Sequence, residues 1–228
     1  YSEVQIPLMP IANMTIGGIP TDESGRVVNG GWGSAVKGLF AAGDVACSGL
    51  HGAALNSGDH LLGAITSGET AGSAAATHAS SSKFSGSSEI SIALSEALHM
   101  HDSMLSSSGS DGVSAGTIQS SLATTMKTHM GVSRSANGLA QAAASIQQLQ
   151  ETAVALSDPS PVMNTELVNV LRTQSLLSVA AAAVSAAQAR EESRGNHIRS
   201  DFPTTDAEPP SHSLTSIDGT VTSLPLRS

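Results

Sequence analysis

The sequence predicts an α/β fold over its first third, β strands plus a helix, followed by a three-helix bundle-like unit and an extended C-terminal tail. Three observations predict it: Gly-rich, β-like runs over residues 1–75, a stretch dominated by Ser, Ala and Gly over 76–116, and apolar residues at helical spacing beyond 117. The expected organisation is therefore a strand-and-helix part (1–75), a Ser/Ala/Gly-rich linker (76–116), a helical domain (117–200) and a tail (201–228). The 228 residues suffice for a core. Yet only five are aromatic, Tyr1, Trp32, Phe40, Phe84 and Phe202, and aromatic rings carry much of the burial energy of ordinary domains. Ala, Leu, Val and Met must build this core, at about 25 cal/mol per Å² of apolar surface removed from water. Such a composition favours docking onto a partner.

In the first segment, Asp22-Glu23-Ser24-Gly25 stands between an extended apolar stretch and Arg26-Val27-Val28, which reads as a tight turn joining two strands. Val36 to Asp44 reads as a short buried strand closing on Gly43-Asp44. A Gly-rich loop and an Ala-rich helical stretch from Asp59 to His78 follow. In the second segment, Ser80-Ser81-Ser82 and Ser106-Ser107-Ser108-Gly109 offer little apolar surface to offset the entropy of ordering the backbone. One island, Ile90 to Met100, has helical spacing at Ile92, Leu94 and Leu98.

The third segment places Ile118, Leu122, Met126 and Met130 on one helical face, then Leu139, Ile146 and Leu149 on another. A third helix is predicted after Asn164, whose side chain can accept from free N–H groups, with Glu166 favoured in the first turn by the helix dipole. Leu167, Val170, Leu171, Gln174, Leu177, Ala181, Val184 and Ala187 are its expected inner face. Gly195, after a charged run, is expected as a left-handed C-terminal cap.

A formal charge of −9 and scattered Lys and Arg leave no basic stripe for phosphate backbones, so nucleic acid is not expected as a partner. The single cysteine, Cys47, excludes an intrachain disulfide and a Cys-based zinc knuckle, and reads as a small core residue. The apolar run Leu176 to Ala189 is shorter than the ~20 residues of a membrane crossing, so no direct membrane span is expected. A first residue that is Tyr rather than Met suits a mature chain freed of a targeting segment. His99 and His101, at i and i+2 near a Ser run, are assigned no role.

A strand closing on Gly then an acid is one way flavoproteins aim a carboxylate at a ribityl hydroxyl. The alternative makes Asp44 a helix cap or loop acid. Arg190-Glu191-Glu192-Ser193-Arg194-Gly195-Asn196-His197-Ile198-Arg199-Ser200-Asp201 closely resembles the R-x-E-S-R-G-x-H-x-R-x-D signature of succinate dehydrogenase and fumarate reductase flavoproteins. Met163-Asn164-Thr165-Glu166-Leu167-Val168 is similar to that family's F-N-T-D-L-V, and Met130 to Arg134 to its A-A-V-F-R. Ile16 to Thr21 resembles M-G-G-I-P-T, Gly38 to Cys47 resembles G-L-Y-A-x-G-E-A-A-C, and His51-Gly52-Ala53 opens its H-G-A-N-R loop. Ser211 to Leu214 echoes K-H-T-L.

The resemblance implies that the α/β part is a remnant of a flavin-binding domain and the chain the family's C-terminal half. It implies FAD in the assembly, contacted here only with a partner chain by Asp44, His60 and Leu61. The family's Gly-rich fingerprint, covalent-flavin histidine and capping-domain arginine have no counterpart in this sequence, so no cofactor is expected on the chain alone. At the family's dicarboxylate-gripping histidine and arginine stand Asn13 and Leu55, neither of which can be cationic.

The implied partners are an N-terminal flavoprotein chain or a complete flavoprotein, an iron–sulfur subunit and membrane-anchor subunits. The implied place is the matrix side of the mitochondrial inner membrane. The expected function is a non-catalytic accessory subunit of respiratory complex II. The alternative is the C-terminal half of a split enzyme passing electrons from succinate to quinone, and a soluble fumarate reductase or aspartate oxidase relative ranks third. The signature's arginines are expected to seal the helical unit against the flavin domain rather than to do chemistry.

Overall fold

The computed structural model describes residues 14–30, 33–56, 58–83, 86–106, 112–205 and 209–226. In the first part, β1 (Ile19–Pro20) pairs in parallel with β4 (Ala46–Cys47), and β2 (Arg26–Asn29) pairs antiparallel with β3 (Ser34–Phe40). The Asp22 to Gly25 turn is closed by its own side chain, since Asp22 Oδ1 accepts from the Ser24 and Arg26 amides at 2.9 and 3.0 Å. Gly25 takes φ +74° and lies under Ala71 of α1 (Asp59–Ser81), where a Cβ would fall 2.5 Å from the Ala71 methyl.

Strand β3 is not the buried strand expected. Val36 and Leu39 are exposed, because the hairpin packs on α1 from one side and a register shift between Arg26 and Val28 breaks its alternation. A short 3₁₀ turn, Gly43–Val45, links β3 to β4.

Residues 76–116, read as a linker, hold the last turn of α1, all of α2 (Ser87–Ser106) and the two-residue strand β5 (Val113–Ser114). The Ser content misled because α2 needs no core of its own. It buries no residue, and its end alone docks, Met104 and Leu105 lying on a cluster of Ala115, Leu156, Leu167 and Val170.

The main core lies among α3 (Ala115–His129), α4 (Ala136–Glu151) and α5 (Thr165–Ala189). Ile118 and Leu122 meet Ala142 and Ile146, and both pairs meet Leu177, Ala180 and Val184. Each helix begins on a side-chain cap: Ser114 accepts from Thr117 N at 3.2 Å, Ser135 from Gly138 N at 3.2 Å, and Asn164 from Leu167 N at 2.8 Å. Strand β6 (Val154–Ala155) pairs in parallel with β5 beside these helix ends.

The inner face of α5 is rotated from the expected one, running Leu167, Val170, Thr173, Leu177, Ala180, Val184 and Ala187, with Leu171 partly outside. Thr173 is fully buried without penalty, since its hydroxyl donates to Asn169 O at 2.7 Å and accepts from Gln119 Nε2 at 2.8 Å. At 25 residues α5 is long and apolar enough to cross a membrane by length and composition. Here it is the central core helix, one face against α3 and α4.

The tail is also more ordered than expected. β7 (Ser211–Thr215) and β8 (Val221–Pro225) form an antiparallel hairpin lying on α5. Its signal was Asp218-Gly219, with Gly219 at φ +82°, between two five-residue runs.

Asn164 does more than cap. It is 7% exposed, and its amide donates to Asp158 O at 2.6 Å and Ser160 O at 3.1 Å, folding the preceding loop onto the helix. Asn164→Ala is expected to cost about 1–2 kcal/mol. A urea titration of the purified chain checks it, and Asn164→Asp should recover the cap but not the loop.

Candidate functional site

Two segments meet: the loop from Cys47 to the start of α1, and the charged turn after α5. Gly52 N donates to Gly49 O at 3.3 Å and Ala54 N to His51 O at 3.4 Å, so the loop curls on itself. Asp59 joins it to α1, its carboxylate accepting from Asn56 N at 3.1 Å. His51 lies over Gly63, where a Cβ would come 3.3 Å from its Nε2.

The charged turn reaches this loop through backbone. Asn196 N–H donates to Ala53 O at 2.8 Å, and Gly195, at φ +57°, allows the approach: a Cβ there would overlap the Ala53 carbonyl, 2.6 Å from its carbon. Gly195 is thus no helix cap. Helix α5 ends at Ala189, and Gly195 sits in a tight turn closed by Arg194 and His197, which exchange backbone hydrogen bonds at 2.8 and 3.0 Å.

Arg199 caps α5 instead. Its guanidinium, 2% exposed, forks onto Asp201 with two 2.8 Å contacts and donates to the carbonyls of Ala187 and Arg190 at 3.1 Å and of Gln188 at 3.4 Å. The Phe202 ring lies 4.9 Å from its Cζ. These hydrogen bonds hold the Asp201 carboxyl well below the usual carboxylate range. Glu192 is braced between Arg190 at 2.6 Å and Arg194 at 2.8 Å. Burial works to raise its pKa, and the hydrogen bonds from the two guanidiniums outweigh it.

His197 ties the turn to the α3–α4 connection. Its Nδ1 lies 2.8 Å from Arg134 Nη1, a donor, and its Nε2 lies 3.1 Å from the Arg190 carbonyl, an acceptor, so the ring is assigned as the neutral Nε2–H tautomer. The backbone repeats the link: Arg134 N donates to Ile198 O at 2.9 Å and Ser200 N to Arg134 O at 2.8 Å.

Burial lowers the His197 pKa, and Arg134, Arg190 and Arg199 add to the shift. A depressed histidine contributes stability that is complete above its unfolded value of about 6.5 and is lost as pH falls below that. Thermal melts are therefore expected to move down between pH 7.5 and 5.5, by at most about 1.4 kcal/mol per unit from this residue. His197→Gln should flatten that slope while leaving the acid loss that sets in below pH ~4, where Asp201 protonates in the unfolded chain while its folded carboxylate stays ionised.

Of the residues singled out from sequence, Asn13 lies outside the described residues. Leu55 is half-buried in the loop held at Ala53. Asp44, His60 and Leu61 gather at one end of α1: Gly43 packs at contact distance on Ala64, one turn beyond His60 and Leu61, and Gly43 N donates to Ser67 Oγ at 2.9 Å. All three are exposed. The N-cap of α1 is Gly58, and no side chain caps the first turn. Cys47 is half-buried in β4, and burial raises its thiol pKa against a hydrogen bond from Gly49 N–H. Among the described residues no group of three His, Cys, Asp or Glu could hold a metal. Ala53 and Asn196 were not foreseen, since a bond between two backbones leaves no side-chain signal.

Residues 119–224 match the family described as fumarate reductase flavoprotein C-term, and residues 3–61 match the FAD binding domain family. The fumarate reductase flavoprotein subunit of Mycobacterium tuberculosis H37Rv is 34% identical over 209 residues, covering 89% of this chain and 34% of the relative. The succinate dehydrogenase flavoprotein subunit of Rickettsia bellii is 32% identical over 220 residues, covering 93% and 36%. The mitochondrial succinate dehydrogenase [ubiquinone] flavoprotein subunit of Oryza sativa is 30% identical over 208 residues, covering 89% and 32%.

Among solved structures, E. coli quinol fumarate reductase FrdA, carrying one point mutation, superposes with TM-score 0.83 at 26% identity over 96% of this chain and 37% of that one. Mycobacterium smegmatis Sdh1 in complex with UQ1 gives 0.69 at 26% identity over 85% and 31%. The chain spans about a third of the length of the curated relatives it matches. With both of its parts matched in order, the chain belongs to the succinate dehydrogenase/fumarate reductase flavoprotein family and corresponds to its C-terminal portion.

Proposed function

We propose that the chain is a flavoprotein-like subunit of a complex II-type assembly, present there as a structural component with a degenerate substrate site. The observation that carries this is Leu55. The loop around it is kept in place, anchored at Ala53 by Asn196 and at Asp59 by Asn56, while the position the family resemblance assigns to a dicarboxylate-gripping arginine is a half-buried aliphatic side chain. A leucine offers dispersion only, and a dicarboxylate placed against it would keep an unpaired charge in a water-poor pocket.

FAD, the group implied by the family, is compatible with the residues present. The Asp44 carboxylate is an exposed acceptor for a hydroxyl, and the first turn of α1 at His60 and Leu61 presents uncapped amides to a carbonyl or developing anion. Bound in the assembly, FAD would supply hydride and electron transfer; this chain would orient it from one side. The partners proposed are the rest of a flavoprotein, an iron–sulfur subunit and membrane anchors, as the multi-subunit neighbours suggest. Attachment is peripheral, on the matrix face of the mitochondrial inner membrane, a reading supported by the plant relative.

Leu55→Ala is expected to leave succinate:quinone turnover of the assembly purified from inner-membrane fractions unchanged, with native gels confirming intactness. A fall of tenfold or more, about 1.4 kcal/mol in barrier, in an intact complex would replace this reading by the split-enzyme one. Recovery of the chain in another compartment would overturn the placement.

A further inference from the structure

A cleft of about 510 Å³ opens between the β2–β3 hairpin and the C-terminal half of α1, with Arg26, Val36, Lys37, Phe40, Thr77 and His78 in its lining. It lies at the opposite end of α1 from Asp44, His60 and Leu61, so it goes beyond the function proposed above and does not rest on it.

The irregularity of β3 makes this cleft. Arg26 pairs with Phe40 and Val28 with Ala35, so the chain between Ala35 and Phe40 bulges away from β2, and Gly38 turns there at φ +79°. In a regular strand consecutive residues face opposite sides. Here Val36 and Lys37 both line the cleft.

Charge is concentrated at the same place. The first 106 residues carry only three Lys or Arg, and two of them, Arg26 and Lys37, line this cleft, while Lys83 follows two residues after its Ser81. No Asp or Glu is among the lining residues. Arg26 gives its Nε to Asp22 Oδ2 at 2.6 Å, a contact that orients the fork, and Lys37 has no ion pair among the described residues. The remaining wall mixes hydroxyls of Ser24, Thr77 and Ser81 with apolar surface, the His78 ring lying 6.0 Å from that of Phe40 and tilted 57° to it, beside Val36 and Ala74.

We propose that this cleft binds a small organic phosphate, its phosphate taken by Arg26 and Lys37 and its organic body resting in the angle between the Phe40 and His78 rings beside Val36. A guanidinium whose Nε is held by Asp22 and an ammonium without an ion pair, both lining one cleft, suit a compact anion. The aromatic and aliphatic wall adds a preference over inorganic phosphate.

Titration calorimetry of the full chain with adenosine monophosphate tests this. Saturable binding is expected, at least tenfold weaker in Lys37→Gln, abolished in Lys37→Glu, unchanged in the distant control Lys127→Gln, and reduced by added NaCl. Inorganic phosphate should bind more weakly than the nucleotide. Lys37 is fully on the surface, and circular dichroism of each variant confirms that the fold is retained. Absence of saturable binding to the unaltered chain, equal affinity in Lys37→Gln, or succinate binding as tightly as the nucleotide would each overturn the proposal.

Discussion

Arg199→Ala is expected to destabilise the helical unit by about 2–4 kcal/mol, because truncating a buried guanidinium leaves buried backbone carbonyls without their donor. The substitution removes the guanidinium from the Ala187 and Gln188 carbonyls at the end of α5, leaves the Arg190 carbonyl to His197 alone, and takes from Asp201 the fork that lowers its pKa. It also removes the cation lying over Phe202. Urea unfolding followed by circular dichroism measures the loss. Arg199→Lys should recover part of it, since an ammonium restores charge but cannot reach Asp201 and the carbonyls together. Equal stability of Arg199→Ala and the unaltered chain would mean that the cap is formed by something other than the guanidinium.

Gly195→Ala is expected to cost about 2–3 kcal/mol, from the left-handed backbone and from a lost hydrogen bond. The Cβ has nowhere to go, because the atoms it meets belong to the Ala53 backbone rather than to a side chain that could swing away. The damage should be local. Amide exchange of Asn196 and of the 51–56 loop should accelerate, while the α3–α4–α5 core keeps its protection. Leu55 belongs to the loop so released, so an assembly sensitive to the conformation there would respond to Gly195→Ala even if indifferent to Leu55→Ala. A loop whose exchange is unaltered in Gly195→Ala would show that Asn196 does not hold it.

What could be read from sequence was what depends on near neighbours. Ile118 and Leu122, Leu139 and Ile146, Leu167 and Val170 announce helices because helical spacing is a local property, and Asn164 announced its helix because a cap acts three residues away. Helix α2 was legible only as the island Ile90 to Met100, its flanks obscured by serines, whose competition with the backbone lowers helix preference without abolishing it when nothing must be buried. The hairpin of Ser211–Thr215 and Val221–Pro225 was missed because half of its strand residues are Ser or Thr, leaving Asp218-Gly219 as the main marker.

In the candidate site, the family resemblance supplied Leu55, Asp44 and His60 as positions of interest, but not what holds them. The Ala53–Asn196 bond joins residues far apart in the chain through groups every residue has. The Arg134–His197 pair could be suspected only once both ends were known to meet.

The final turn of α5 is closed by a guanidinium that arrives from downstream, after the chain has reversed through Gly195 and passed under Arg134. The helix therefore cannot complete its C-terminus by local zippering alone. Its last residues gain their protection only when the 190–202 segment has folded back against the α3–α4 connection. The segment that caps the helix is also the one that joins the strand-and-helix portion to the helical portion, through Asn196 and Ala53, so a group that tightens the 190–202 segment steadies both.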